Sequence, residues 1–217
     1  MKELIANCTA EEVRIAVLED GKLVELQIER ASEARIVGNL YKGRVDAILP
    51  GIQSAFVDIG LEKNGYLHVS EVIGAGNTEK IEEALKRGQE VLVQIMKEPM
   101  GTKGTKVTSQ LSLAGRYLVL VPGEDNIAVS KKIADREERK RLKRVVSGLK
   151  PEGFGAIIRT VAEGKEQKDF KNDIRLLLRL WKKIRKEAEK RKAPSLVHKD
   201  MGMVASVIRD QLTPEVN

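Results

Sequence analysis

Apolar and polar residues alternate along residues 41–72, and two turn-forming sequences interrupt the alternation. A period of two is typical of β-strands that bury one face. The sequences Pro50-Gly51 and Lys63-Asn64-Gly65 favour turns, so they divide this stretch into short antiparallel strands. The apolar positions that define the buried face are Val45, Ile48, Ala55, Val57, Ile59, Leu67 and Val69. The pattern predicts a small β-barrel.

Strand patterns also flank this barrel region. Three strands are predicted before it, and Asp20-Gly21 forms a two-residue hairpin turn between the second and the third. Two alternating runs extend the barrel, and two more strands follow them. In chain order, these predicted strands cover residues 3–8, 13–18, 23–28, 90–96, 106–113, 117–121 and 156–161.

Helical spacing of apolar residues recurs at four places. A short helix is predicted at 79–87, inside the barrel region, and a charged helix at 136–146. The clearest helix covers 172–190, where apolar residues follow i, i+3, i+4, i+7 spacing and Trp181 lies within their stripe as a core residue. A last helix-like segment has Met203, Val204, Val207, Ile208 and Leu212. The chain therefore has an α+β pattern.

Composition narrows the class of protein. The 217 residues are 41% hydrophobic and 33% charged, which suffices for one good core or two small ones in a soluble chain. No apolar run approaches the roughly 20 residues that span a bilayer, and no signal peptide is evident, so we expect a cytoplasmic protein. Cys8 is the only cysteine, and His68 and His198 are the only histidines. This argues against disulfides and against a Cys/His zinc site.

Positive charge is concentrated in one region. Residues 131–192 hold 22 of the 39 basic and 10 of the 32 acidic residues, a balance of +12, whereas the rest of the chain has a balance of −5. Such a surface attracts polyanions and supports salt-sensitive phosphate binding. The alternative is a solvated helix surface that serves solubility.

The barrel region carries aromatic side chains suited to single-stranded RNA. Unpaired bases stack on aromatic faces of a sheet, beside cations that follow the backbone. Phe56 and Tyr66 are candidate platforms, and His68 projects from the same strand face as Tyr66, so it is placed to stack or to donate to a phosphate. The alternatives are a core role for Phe56 and a structural hydrogen bond for His68.

Five collinear phrases carry a family resemblance. They are IERASEARIVGNLYKGRV, SAFVDIG, LSLAGRYLVLVP, GFGAIIRT and APSLVHKD with the later IRDQL. Residues 42–72 look like the ribosomal-protein-S1-type RNA-binding domain, an OB-fold barrel, and the phrases together resemble the ribonuclease E/G family. At Gln53 the chain departs from S1-type domains, which usually have an aromatic residue there.

The resemblance implies an S1-type OB-fold β-barrel inserted in a ribonuclease-H-like subdomain, plus a mixed α/β 5′-sensor subdomain. It assigns 1–36 and 194–217 to the ribonuclease-H-like subdomain, 37–114 to the barrel and 115–193 to the 5′ sensor. It also implies that Lys103 helps to hold RNA. By the same resemblance, the residues that recognise a 5′-monophosphate are Arg159, Thr160, Gly115 and Val119, with Lys131 and Lys132 bordering the pocket.

A pocket for a terminal phosphate needs a guanidinium, a hydroxyl donor and backbone N–H groups, and Arg159 and Thr160 supply the first two. Gly115 has no side chain, so the backbone there can approach a phosphate closely. The resemblance implies an endoribonuclease that cleaves single-stranded RNA in rRNA processing and mRNA decay. By this resemblance, paired aspartates would hold Mg²⁺ in a domain that begins after residue 217. A Zn²⁺ link that assembles a homo-oligomer would also lie after that residue. The chain itself is then predicted inactive.

The sequence leaves one rival function open and excludes another. The rival interpretation is a freestanding single-stranded-RNA-binding module or adaptor without nuclease activity. The loop GTKGTK, at 101–106, lacks the spacing of a phosphate-binding P-loop and no helix pattern follows it, so nucleotide hydrolysis is excluded. Asp58 lies between Val57 and Ile59 in a predicted strand and is not expected to bind a catalytic metal.

Overall fold

The structure is a computed structural model that describes residues 1–30, 35–74, 79–99 and 104–212. The chain divides into two compact units. One comprises Met1–Ile36 and Asp200–Asn217, and the other comprises Val37–Lys199. Strands and helices are both present in each unit, which confirms the α+β prediction.

The smaller unit is a three-stranded antiparallel sheet with one helix. The order is β1 (Lys2–Cys8), β2 (Glu12–Glu19) and β3 (Lys22–Arg30), and α4 (Met203–Gln211) packs against β2. The predicted Asp20-Gly21 turn is present, with φ of 49° and 74°, the left-handed values that a type I′ hairpin requires. Ile15, Val17 and Val207 form the buried contact, each at most 5% exposed.

The larger unit contains a closed five-stranded barrel. Its strands pair in the order β4-β5-β6-β8-β7, and β4 pairs with β7 to close the ring. The β6–β8 pairing is parallel and the others are antiparallel, a topology consistent with an OB-fold. The elements are β4 (Leu40–Leu49), β5 (Ser54–Asp58), β6 (Gly65–His68), α1 (Ile81–Ala84), β7 (Glu90–Lys97) and β8 (Lys106–Thr108).

Aliphatic side chains fill the barrel interior. Ala55, Val57, Leu67 and Val107 are each 0% exposed. Gly43 lets β4 and β5 approach each other, because a Cβ there would lie 2.5 Å from Val57 Cγ1 and 2.9 Å from the Asp58 carbonyl oxygen. The predicted alternation of buried and outward positions is therefore present in β5 and β6.

A second sheet and two long helices complete the larger unit. The sheet order is β11-β12-β10-β9, and the core between the sheet and the helices includes Leu118, Leu120, Leu142, Ile158 and Phe170, each 0% exposed. No helix within the described residues is both long and apolar enough to cross a membrane. The elements are β9 (Leu113–Ala114), β10 (Leu118–Pro122), β11 (Ile127–Val129), α2 (Arg136–Ser147), β12 (Phe154–Ile158) and α3 (Gln167–Lys190). The strand after α3, β13 (Ser195–His198), belongs to the sheet of the barrel.

Several predicted boundaries differ from the structure. Helix α3 begins at Gln167 instead of 172, because Glu166 and Asp169 form a capping box that starts the helix before its apolar stripe. Strand β12 ends at Ile158 instead of 161, since its pairing with β10 ends there. The predicted strand 106–113 breaks at Ser109, whose N–H and hydroxyl both bond the Glu71 carbonyl oxygen.

The family resemblance assigns residues 194–217 to the ribonuclease-H-like subdomain. In the structure, β13 pairs with β4 of the barrel, so the C-terminal part of the smaller unit begins at Asp200. The strand was missed because four residues with a single well-buried side chain, Val197, carry little periodicity.

Candidate nucleic-acid interface

The outer face of the barrel presents two aromatic rings side by side. Phe56 of β5 and Tyr66 of β6 are direct register partners, with ring centroids 6.3 Å apart and ring planes at 65°. Their chain neighbours Ala55 and Leu67 fill the barrel interior at 0% exposure, so the two rings point outward and are half-buried. This T-shaped pair lies outside the hydrophobic core and offers ring surface to a ligand.

A hydrogen bond fixes the position of the Tyr66 ring. Its hydroxyl lies 2.7 Å from Oγ of Ser54, a buried residue two positions before Phe56. Ser54 Oγ also donates to the Ile52 carbonyl oxygen at 2.9 Å. The ring is thus held by backbone-anchored contacts before any ligand arrives, which lowers the entropic cost of binding.

His68 continues this face at the end of β6. It is the register partner of Ser54, and its Nδ1 accepts the Ser70 N–H at 3.2 Å and lies 2.8 Å from Ser70 Oγ. Because a backbone N–H always donates, Nδ1 carries no proton and the neutral ring has its proton on Nε2. The structural bond and the predicted donor role are therefore compatible.

One lysine that the sequence reasoning did not select borders the aromatic pair. Lys106 of β8 is the register partner of Tyr66, on the face opposite to the buried Val107, and its Nζ lies 3.1 Å from Glu71 Oε1. Its alternation with Val107 was the sequence signal that could have identified it. Lys103, the predicted RNA contact, lies outside the described residues.

Gln53 has a structural role in the barrel. Its backbone is left-handed with φ of 49°, its Nε2 donates to the Pro50 carbonyl oxygen at 2.7 Å, and its Oε1 accepts the Ile81 N–H at 2.9 Å. The side chain therefore joins the turn after β4 to the start of α1.

The second cluster of predicted residues surrounds the end of β12. The Arg159 guanidinium donates to the carbonyl oxygens of Gly115 at 2.7 Å and Arg116 at 3.3 Å. The Thr160 hydroxyl lies 2.9 Å from Ser130 Oγ, which brings a second hydroxyl to the same place. Sequence reasoning missed Ser130, because only the pairing of β11 with β12 brings it beside Thr160.

A buried carboxylate shapes the loop that supports Arg159. Asp173 of α3 is 8% exposed and accepts three backbone N–H groups, from Arg116 at 3.1 Å, Tyr117 at 2.8 Å and Leu118 at 3.2 Å. A Cβ at Gly115 would lie 2.5 Å from Asp173 Oδ2, so the glycine is required by this carboxylate. The Gly115 N–H itself donates to the Leu118 carbonyl oxygen at 2.9 Å.

The other predicted pocket residues lie on the second sheet and in the turn after β11. Val119 is half-buried and pairs with Ile157, on the sheet face opposite to Leu118 and Leu120. Lys131 and Lys132 are exposed next to Ser130. The structure thus brings Arg159, Thr160 and the Gly115 carbonyl together, with two lysines in the adjoining turn.

An ion pair fixes the turn that follows Thr160. The carboxylate of Glu138 accepts two hydrogen bonds from Arg141, at 2.6 and 2.7 Å, and one from the Gly164 N–H at 2.8 Å. The Arg141 guanidinium, followed by the Gly164 N–H, lowers the pKa of Glu138 from 4.5 to about 2. The contact therefore stabilises the fold at pH values above 4.5, the pKa of Glu138 in the unfolded chain. This stabilisation is lost as the pH falls toward 2.

We expect Glu138→Gln to lower the free energy of unfolding at pH 7 by about 1–2 kcal/mol, because a charged bidentate acceptor is lost. Urea unfolding between pH 7 and pH 2 measures this difference, which should shrink below pH 4.5. The matched control is Glu137→Gln, whose side chain is 80% exposed, and it should leave the free energy of unfolding nearly unchanged. A difference that is independent of pH would contradict the assignment.

Sequence comparisons identify the family of this chain. Residues 112–217 match the family model described as Ribonuclease E/G family. Ribonuclease G of Salmonella typhimurium (strain SL1344) is 40% identical over 219 residues, which cover 96% of this chain and 45% of that protein. The chain belongs to the ribonuclease E/G family. Ribonuclease E of Escherichia coli (strain K12) is 35% identical over 226 residues, which cover 100% of this chain and 21% of that protein.

This member of the ribonuclease E/G family spans less than half the length of those relatives. Among solved structures, GSP13 from Bacillus subtilis matches with a TM-score of 0.27 and 35% identity, over 33% of this chain and 52% of that chain. The family resemblance found in the sequence is confirmed, whereas the roles of the individual residues stay predictions.

The family resemblance predicts Mg²⁺ and Zn²⁺ binding only for residues outside this sequence. Among the described residues, no three His, Cys, Asp or Glu side chains form a group that could hold a metal ion. Asp58 accepts the Gly60 N–H at 2.9 Å and so closes the turn after β5.

Proposed function

We propose that this chain binds single-stranded RNA across the outer face of its barrel, as part of an endoribonuclease. The observation that carries the proposal is the Phe56–Tyr66 pair, two half-buried rings with centroids 6.3 Å apart on a closed barrel of OB-fold topology. Each base stacked on such a ring contributes about 1–3 kcal/mol. His68 and Lys106 border the pair and supply donors to the phosphate backbone.

The proposal includes recognition of a 5′-monophosphate at the end of β12. Support comes from the half-buried Arg159 guanidinium, which two carbonyl oxygens hold in place, and from the hydroxyls of Thr160 and Ser130 beside it. A planar guanidinium recognises phosphate oxygens in a bidentate manner, and hydroxyls complete the donor set. Lys131 and Lys132 raise the local positive potential.

The names of the relatives support the cleavage part of the proposal, since those proteins are ribonucleases. We assign RNA cleavage in rRNA processing and mRNA decay to the longer parent. Mg²⁺ there would stabilise the charge that develops on the phosphate. Residues outside this chain would hold that Mg²⁺ and the Zn²⁺ of a homo-oligomer link. The described residues would bind and orient the RNA.

The 5′-end claim is tested by comparing RNAs of one sequence that carry a 5′-monophosphate or a 5′-hydroxyl. We expect the monophosphate to bind about 30-fold more tightly, since charge-assisted hydrogen bonds contribute roughly 1.5–3 kcal/mol. Arg159→Ala should abolish this preference, as measured by fluorescence anisotropy. The control Arg185→Ala removes an exposed arginine on α3 and should preserve it. Equal affinities of the unchanged protein for the two RNAs would refute 5′ sensing and leave the barrel claim intact.

A further inference from the structure

Helix α3 presents a row of basic side chains to solvent. We name it the basic stripe, and it consists of the exposed residues Lys171, Arg175, Arg179, Lys182, Lys186 and Lys190. At 3.6 residues per turn, these six positions fall within an arc of about 100° and extend about 28 Å along the helix. The same arc also holds the exposed Glu189, which pairs with Arg185 at 3.8 Å, so the stripe is a band of positive charge with one acidic residue near its C-terminal end.

Ion pairing separates the stripe from the other basic residues of α3. Lys168 pairs with Glu166 at 3.0 Å and Arg185 pairs with Glu189 at 3.8 Å. Across the described ranges, no carboxylate lies within 4.0 Å of the charged nitrogens of the six stripe residues. The stripe contains five pairs of like charges at i,i+3 or i,i+4 spacing, and such pairs destabilise a helix. A bound polyanion would relieve this repulsion.

The opposite face of α3 is already occupied. Ile174, Leu177 and Ile184 are 4%, 5% and 2% exposed in the core against the second sheet. An amphipathic helix that binds a membrane needs its apolar face for insertion, and here that face is packed within the protein. Charge complementarity therefore favours a nucleic acid over a lipid surface.

The chemistry of the stripe favours a double-stranded nucleic acid. Single strands are held by base stacking, and the two aromatic residues of α3, Phe170 and Trp181, belong to its packed face. The six stripe residues offer only cations. They suit a ligand whose phosphates are exposed and whose bases are stacked inside a duplex. We propose that the α3 basic stripe is a docking surface for the phosphate backbone of double-stranded RNA, distinct from the single-strand face of the barrel.

The test measures the salt dependence of binding to a blunt RNA duplex with 5′-hydroxyl ends. The stripe variant is Arg175→Gln with Lys182→Gln, and the control is Arg185→Gln with Lys140→Gln, which removes the same residue types from exposed ion pairs. Each phosphate contact contributes about 0.9 to the slope of log K against log salt. We expect the stripe variant to lose about 2 from this slope and to bind three- to tenfold more weakly. The control variant should have nearly the same slope and affinity as the unchanged protein.

Three results would overturn the docking proposal. The first is an equal salt slope for the stripe variant and the control variant. The second is an equal loss of affinity of the stripe variant for the duplex and for a single strand of the same length. The third is weaker binding of the stripe variant to anionic phospholipid vesicles with unchanged binding to the duplex. The outcome is independent of the barrel claim, since Phe56→Ala should weaken single-strand binding and leave duplex binding unchanged.

Discussion

Replacing Asp173 with alanine is expected to lower the free energy of unfolding by about 3–5 kcal/mol, because several buried N–H groups lose their acceptor. Its carboxylate receives three backbone N–H groups from the loop before and at the start of β10. The same loop supplies the two carbonyl oxygens that hold Arg159. The variant should therefore also lose any preference for a 5′-monophosphate.

Chemical denaturation measures the stability effect of Asp173→Ala, and two variants control it. Asn172→Ala changes the exposed neighbour on the same helix and should shift the free energy of unfolding by less than about 0.5 kcal/mol. Asp173→Asn keeps the volume but replaces one acceptor oxygen by a donor, so it should still destabilise the fold. Wild-type stability for Asp173→Ala would show that the three hydrogen bonds do not hold the loop.

The prediction of elements from sequence succeeded where periodicity was strong. The alternation along β5 and β6 and the apolar stripe of α3 depend on one buried face, and each was recognised. Three short strands were not recognised as separate elements. Strands β9, β11 and β13 have two to four residues, and only pairing with distant strands defines them.

The site was predictable only in part for the same reason. Phe56, Tyr66 and His68 share a face because of local alternation, and the structure brings them together. Asp173 and Ser130 lie far in sequence from the groups that they contact, so no local pattern reveals them. The structure also shows a reason for glycine at position 115 that no local pattern reveals, because the Asp173 carboxylate excludes a side chain there.

Removing both rings of the barrel face should have the largest effect on RNA binding. We expect Phe56→Ala with Tyr66→Ala to weaken single-strand binding by about 2–6 kcal/mol, at least roughly 30-fold, since each ring stacks one base. Both rings are half-buried on the outer face, so the barrel core stays intact. The control Phe56→Tyr keeps a ring and should retain most of the affinity, as measured by fluorescence anisotropy.

The most direct measurement follows the aromatic ring protons by NMR while a short single-stranded RNA with a 5′-hydroxyl end is added. The chain has three phenylalanines and three tyrosines, so each ring can be assigned with single substitutions. Base stacking shifts ring protons upfield, and we expect this for Phe56 and Tyr66 and not for Phe170, which is 0% exposed. RNA binding that leaves the Phe56 and Tyr66 resonances unmoved would contradict the proposed interface.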